Sequence, residues 1–197
     1  MSFDDIIDRR GSHCVKWDMM ETLYGVPQDR GLAMWVADMD FRPPQCVLDA
    51  ITAQVDPGII GYFGEDSKYK AAIQGWMDTR HGWRVDPDHI FTTHGLVNGT
   101  AMCVETFSQP GDGVVLFTPV YHAFAKVIKA AGRRVVECEM SQVNGRYEMD
   151  FDAYDAQMDG SERMVILCSP HNPGGTVWSR GELAAVAAFA KRHNLIL

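Results

Sequence analysis

Met164-Val165-Ile166-Leu167-Cys168-Ser169-Pro170-His171-Asn172-Pro173-Gly174-Gly175-Thr176 reads as a strand running into a turn. Met164 to Cys168 is a short, continuous apolar run, partly β-branched. Such a run predicts a strand covered on both faces, as in a parallel sheet. Ser169-Pro170 stops it. Asn172-Pro173-Gly174-Gly175 predicts a tight turn, with both glycines free to take φ > 0 and the proline fixing its own φ. Thr176 and Ser179 are each placed to cap a following helix. The pattern leaves an asparagine side chain at the carboxyl end of a buried strand, which in open α/β sheets is the edge where ligands bind.

Working outward, the same alternation recurs. His89 to Thr93, Gly113 to Phe117 and Arg133 to Cys138 are expected strands, and Leu195-Ile196-Leu197 is expected to begin another. Helical spacing falls between them. One helix is expected from the His94-Gly95 turn to about Phe107, one from Tyr121 to Ala131, a short one capped by Asp150 or Asp152, and one over Glu182 to His193. Strands alternating with helices predict an α/β class with a mostly parallel sheet between two helical layers. Upstream, Val47, Ile51 and Val55 form one apolar stripe. Tyr69, Ile73, Trp76 and Met77 form another, on a helix expected from Glu65 to His81 and closed by Gly82.

Composition narrows the class. The chain has 197 residues and a formal net charge of −8, which argues against nucleic acid or an anionic membrane as partner. Its start, M-S-F-D-D-I-I-D-R-R, is acidic and lacks a signal-peptide core, and no apolar run approaches a membrane span, so a cytoplasmic location is expected. The five cysteines have no C-x-x-C or zinc spacing and are expected to be reduced and mostly buried. No metal site is expected.

Several motifs place further chemistry. Thr92-Thr93-His94-Gly95-Leu96-Val97 puts a glycine turn at a helix start, where free N–H groups can hold an anion. It is not G-x-G-x-x-G, so a dinucleotide fingerprint is absent and a nucleotide-binding doubly wound domain is disfavoured. Pro119-Val120-Tyr121-His122-Ala123-Phe124 sets an aromatic residue after the Gly113 to Phe117 strand, and Trp35-Val36-Ala37-Asp38-Met39-Asp40-Phe41 is a distinctive run near the start.

Taken together and in this order, S-P-H-N-P-G-G-T, the Gly95 turn, P-V-Y-H-A-F, the Gly61-Tyr62-Phe63-Gly64 loop and W-V-A-D-M-D-F resemble the class I/II aminotransferase superfamily. These are pyridoxal 5′-phosphate (PLP) enzymes of fold type I, and the last motif resembles the cystathionine β-lyase-like C–S lyase subgroup. The resemblance implies an incomplete PLP-dependent transferase-like large domain over residues 46–197. It implies that residues 1–45 are an N-terminal arm and part of the small domain. Gly95, Leu96 and Val97 would hold the cofactor phosphate through main-chain N–H groups, Tyr121 would stack on the pyridine ring, and Asn172 would hydrogen-bond its phenolic oxygen. Tyr62 would reach the phosphate of a partner subunit in a homodimer. Ala37, through its N–H, and Trp35 would face an amino-acid substrate. The implied chemistry is Cα deprotonation followed by loss of a Cβ thiolate or by transamination.

The family's Schiff-base lysine sits in a later S-x-x-K-type segment. Of Lys16, Lys68, Lys70, Lys126, Lys129 and Lys191, only Lys70 has that spacing, in Ser67-Lys68-Tyr69-Lys70, and it lies ahead of the Gly95 and asparagine turns instead of after them, so no catalytic residue is assigned, and the chain reads as a truncated, inactive portion of such an enzyme. A non-catalytic PLP- or phosphate-binding remnant and a regulatory interaction protein are the alternatives.

Overall fold

A computed structural model describes residues 3–197, which divide into two compact units meeting between Ser67 and Lys68. The first unit contains α1 (Val15–Asp18), α2 (Met20–Tyr24) and α3 (Gln45–Val55). α3 follows Pro44 and buries nothing: Val47, Ile51 and Val55 form the expected stripe, but it lies exposed within this unit.

The second unit opens with α4 (Ser67–His81), which ends at Gly82 in the left-handed region with its N–H on the Asp78 carbonyl, 2.9 Å away. Tyr69 and Trp76 of the α4 stripe are exposed. A 3₁₀ turn (Pro87–His89) follows, capped by Asp86. The strand expected over His89 to Thr93 does not form. Ile90 is extended, but no described strand pairs with this segment, and Phe91 is exposed. An extended segment becomes a strand only when a neighbour supplies the ladder.

Then come α5 (Leu96–Phe107), β1 (Gly113–Thr118), α6 (His122–Ala130), β2 (Arg134–Glu139), the short strands β3 (Ser141–Val143) and β4 (Arg146–Glu148), α7 (Phe151–Asp155), β5 (Glu162–Ile166) and α8 (Arg180–Arg192). β1 lies between β2 and β5, parallel to both, with Val114 beside Val135 and Met164. Ile196 adds a parallel bridge to Met164 on the outer side of β5, where the sequence predicts a further strand.

The period of two along β1 sorts the core. Val114 and Leu116 face one layer, packed with Met164, Val104 of α5 and Ile128 of α6. Val115 and Phe117 face the other, packed with Val165, Tyr154 of α7, and Val186 and Phe189 of α8. Each fully buried side chain of this size contributes roughly 1.5–3 kcal/mol. Sheet and helices form the three expected layers.

Smaller details differ from expectation. Ser179 caps α8 through a capping box with Glu182, whereas Thr176 is buried and caps nothing: its carbonyl closes the turn by accepting the His171 N–H at 2.8 Å. Of the cysteines only Cys138 is buried, its thiol pushed up to about 12 by that burial; Cys46 and Cys103 are exposed and all five are free. The β3–β4 hairpin was signalled by Asn144-Gly145, both at positive φ, the residues a two-residue hairpin turn requires. No helix among the described residues is long and apolar enough to cross a membrane, and no three His, Cys, Asp or Glu side chains group to hold a metal.

The hairpin is tied to α8 by Arg146, which donates to both carboxylate oxygens of Glu182 at 2.7 and 2.9 Å. That pair, with the Ser179 bonds, lowers the Glu182 carboxyl to about 2. A folded-state value below the ordinary 4.5 stabilises the fold above about pH 4.5, and the contribution is lost as pH falls toward about 2. Thermal melting is therefore expected to fall less steeply across this range in Glu182→Gln than in the parent. Parallel curves would refute this role of Glu182.

Candidate cofactor site at the carboxyl edge of the sheet

All three strands run the same way, so their carboxyl ends share one edge. The loop after β1 carries Tyr121 there, and the loop after β5 carries Asn172. α5 must return its chain to the amino end of β1, and its twelve residues span about 18 Å, close to the length of that strand. Its amino terminus therefore lies toward the same edge, and Leu96 and Leu167 line one apolar groove. Gly95, Leu96, Val97, Tyr121 and Asn172 thus all lie toward the carboxyl edge of the sheet.

The Gly95 turn is shaped for close approach. Gly95 has φ 87° and ψ 160°, a conformation that disfavours any side chain, and nothing stands within 4 Å of where a Cβ would be. Its own N–H is taken by the Thr93 carbonyl at 2.8 Å. The first intrahelical bond of α5 runs from Gly99 to the Gly95 carbonyl, and no side chain caps the helix. The N–H groups of Leu96 and Val97 are left pointing outward with the positive end of the helix dipole. With its N–H engaged within the turn, Gly95 offers an anion close approach, and Leu96 and Val97 are left as the donors.

Tyr121 is half-buried, its ring meeting Phe124 edge-on at 5.6 Å. Asn172 is exposed; its backbone N–H meets the Cys168 sulfur at 3.3 Å, and its side-chain amide has no partner among the described residues. Gly175 alone of the two turn glycines has positive φ. Gly174 serves another end: a Cβ there would come within 2.5 Å of the Tyr147 ring and 2.8 Å of the His171 ring. The Thr118–Pro119, Ser169–Pro170 and Asn172–Pro173 peptide bonds are cis.

An anion cradle, an aromatic face and a free amide at one sheet edge suit a planar, phosphorylated heteroaromatic ring. The carbonyl oxygen of Asn172 or its NH₂ can meet a ring substituent, and the α5 terminus can meet a phosphate. PLP fits this donor set. Lys126, the lysine nearest Tyr121 in sequence, is exposed on α6.

The remaining candidate residues lie in the first unit. W-V-A-D-M-D-F is not a strand. It is pinned by charge: Arg9 donates to Asp38 and Asp40, each at 2.7 Å, and the buried Lys16 donates to Asp40 at 2.7 Å and to the Asp38 carbonyl at 2.8 Å. The Lys16 ammonium, the Trp17 indole N–H and Arg9 together hold the Asp40 carboxyl well below the usual carboxylate range. Trp35 donates its indole N–H to the Lys16 carbonyl at 2.9 Å and packs edge-on against Tyr24, so its polar handle is spent on the fold. Between these anchors Val36 sits at φ 57°, an outlier for a β-branched residue, costing on the order of 1–3 kcal/mol. The strain leaves Ala37 exposed, with its N–H unbonded to the described residues. Tyr62 is fully exposed.

Residues 34–197 match the aminotransferase class I and II family. The chain is 40% identical to cystathionine beta-lyase PatB of Bacillus subtilis (strain 168), across 99% of this chain and 50% of that protein. Cystalysin of Treponema denticola, whose crystal structure contains a PLP cofactor, superposes with a TM-score of 0.89 and is 33% identical, covering 98% of this chain and 50% of that one. The PLP-bound C-S lyase of Staphylococcus hominis superposes with a TM-score of 0.88 and is 31% identical, covering 99% of this chain and 49% of that one. The chain thus spans about half the length of the relatives it matches. The family match over residues 34–197, most of the chain, places this chain in the aminotransferase class I and II family.

Proposed function

We propose that this chain carries the cofactor cradle of a PLP-dependent C–S β-lyase or aminotransferase acting on a small amino acid. The observation that carries the proposal is the convergence of the uncapped α5 terminus, the Tyr121 ring and the unpartnered Asn172 amide on one sheet edge. When bound, PLP withdraws the electron pair left when an amino acid loses its Cα proton, which permits departure of a Cβ thiolate or transfer of the amino group. The chain's own residues bind and orient. The Leu96 and Val97 N–H groups hold the phosphate dianion, and Gly95 lets it come close. Tyr121 keeps the ring flat and excludes water from one face. The Asn172 amide donates to the ring's phenolic oxygen and favours its anionic form. The Ala37 N–H faces the substrate carboxylate, with Trp35 beside it.

Residues 1–45 form an arm and part of a small domain, and 46–197 form the amino-terminal portion of the large domain. The protein is a cytoplasmic homodimer in which Tyr62 of the partner subunit reaches the phosphate. Light scattering on the protein expressed from its complete gene is expected to give a dimer; a monomer at micromolar concentration would contradict this. The lysine set favours a second reading for the 197-residue chain by itself, a non-catalytic PLP- or phosphate-binding protein.

Titration of the cofactor-free protein from the complete gene tests the cradle. Stoichiometric uptake of PLP is expected, with pyridoxal bound at least about tenfold more weakly because it lacks the charge-assisted phosphate contacts. Equal affinity for the two would contradict the assignment of the α5 terminus.

A further inference from the structure

His171 is the residue of the asparagine turn that the cofactor reading leaves without a task. It is 3% exposed, and its Nε2 lies 2.7 Å from the Pro119 carbonyl oxygen. A carbonyl only accepts, so Nε2 carries the hydrogen. The ring is gripped on its flanks by Trp178 at 5.6 Å and Tyr147 at 6.0 Å. Trp178 is itself buried and donates its indole N–H to the Cys168 carbonyl at 2.8 Å. The His171 main chain closes the turn at both ends: its N–H donates to Thr176, and its carbonyl accepts from Gly175 at 2.7 Å. Gly174 is bare because Tyr147 and His171 fill the space of its Cβ.

The placement of this bond gives it consequence. Pro119 is two residues before Tyr121, and His171 is one before Asn172. Among the described residues it is the only hydrogen bond that joins residues 118–124 to residues 168–176. The loops otherwise leave separate strands, and nothing covalent fixes their spacing.

We propose that His171 is a positioning residue whose Nε2–H latch on the Pro119 carbonyl sets the gap between Tyr121 and Asn172, and so preforms the slot for the cofactor ring. The proposal rests on the PLP reading of this site. The latch acts on the ring and not on the phosphate, because the α5 terminus is held by the Thr93–Gly95 turn and makes no hydrogen bond to His171. A buried bond of this kind controls roughly a tenfold change in equilibrium.

The test uses the cofactor-free protein from the complete gene and two probes, PLP and inorganic phosphate. His171→Leu is expected to weaken PLP about tenfold and leave phosphate affinity within twofold. His171→Gln, whose amide reaches the place of Nε2, is expected to recover most of the loss; His171→Asn, polar but too short, is not. If the leucine variant does not fold, the glutamine and asparagine pair carries the comparison. Long-range proton–nitrogen NMR of the parent without cofactor is expected to show His171 protonated at Nε2, with that proton slow to exchange. A leucine or asparagine variant that binds PLP like the parent, or a His171 found in the Nδ1–H form, would overturn the latch. Loss of PLP and phosphate binding together would also overturn it, by showing a general structural role. A parent protein that takes up no PLP, yet shows the Nε2–H form, would overturn the cofactor reading and this role within it while leaving the loop contact standing.

Discussion

Incubated with PLP and L-cystathionine, the 197-residue chain is expected to release pyruvate no faster than PLP alone in buffer. The reaction requires a group that takes the Cα proton, and in this family a lysine both anchors the cofactor and moves that proton. None of the lysines present follows the asparagine turn in an S-x-x-K segment. Lys16 is buried in the first unit in an ion pair with Asp40, and Lys126, the one nearest Tyr121 in sequence, is exposed on α6. A positioned general base is worth on the order of 10²–10⁴-fold, and covalent anchoring adds preorganisation that free PLP lacks. Borohydride reduction of the PLP-treated chain followed by peptide mass mapping checks the reason. A single stoichiometric pyridoxyl-lysine together with pyruvate release would mean that a resident lysine has taken the role.

The largest effect on stability is expected at Phe189. It is fully buried on α8 and stands in a cluster with Phe117 of β1, Phe151 and Tyr154, at centroid distances of 6.2, 5.7 and 6.4 Å. Truncation to alanine removes both buried area and the contacts of three neighbours that cannot collapse inward, because β1 and α7 are fixed by their own bonds. Phe189→Ala is expected to cost about 3–5 kcal/mol, read as a lower urea midpoint at unchanged slope. A loss below about 1 kcal/mol would show that the layer of α7 and α8 repacks and is not the rigid backing of the sheet. The consequence reaches the site, since α8 begins two residues after Trp178, one of the two rings that hold His171.

How much of this was legible in the sequence depended on how local each feature is. The apolar runs over Gly113 to Phe117 and Met164 to Ile166 gave strands because burial on both faces demands that composition whatever the neighbours, whereas Leu167 and Cys168, expected in the second, lie past its end. Ser179 with Glu182 announced α8 through a bond closed within one turn. The segment from His89 to Thr93 has the same appearance as the true strands, yet a strand is a property of a pair, and no described strand pairs with it. Gly174 and Gly175 look alike in sequence; only the positions of Tyr147 and His171 reveal that one is needed for space and the other for φ. Asn144-Gly145 did carry a hairpin signal. The bond from His171 to Pro119 spans 52 positions and has no local signature at all. The clamp of Arg9 and Lys16 on Asp38 and Asp40 is equally remote in sequence, and it explains why W-V-A-D-M-D-F holds a strained backbone instead of a strand.

One sheet edge is expected to hold PLP through the α5 terminus, Tyr121 and Asn172. The most direct measurement is a crystal structure of the protein from the complete gene grown with PLP. The phosphate is expected on the Leu96 and Val97 N–H groups, the pyridine ring against Tyr121, and the phenolic oxygen within hydrogen-bond distance of the Asn172 amide. A PLP molecule bound at the amino end of the sheet, or one whose phosphate is held away from α5 with Asn172 untouched, would contradict it.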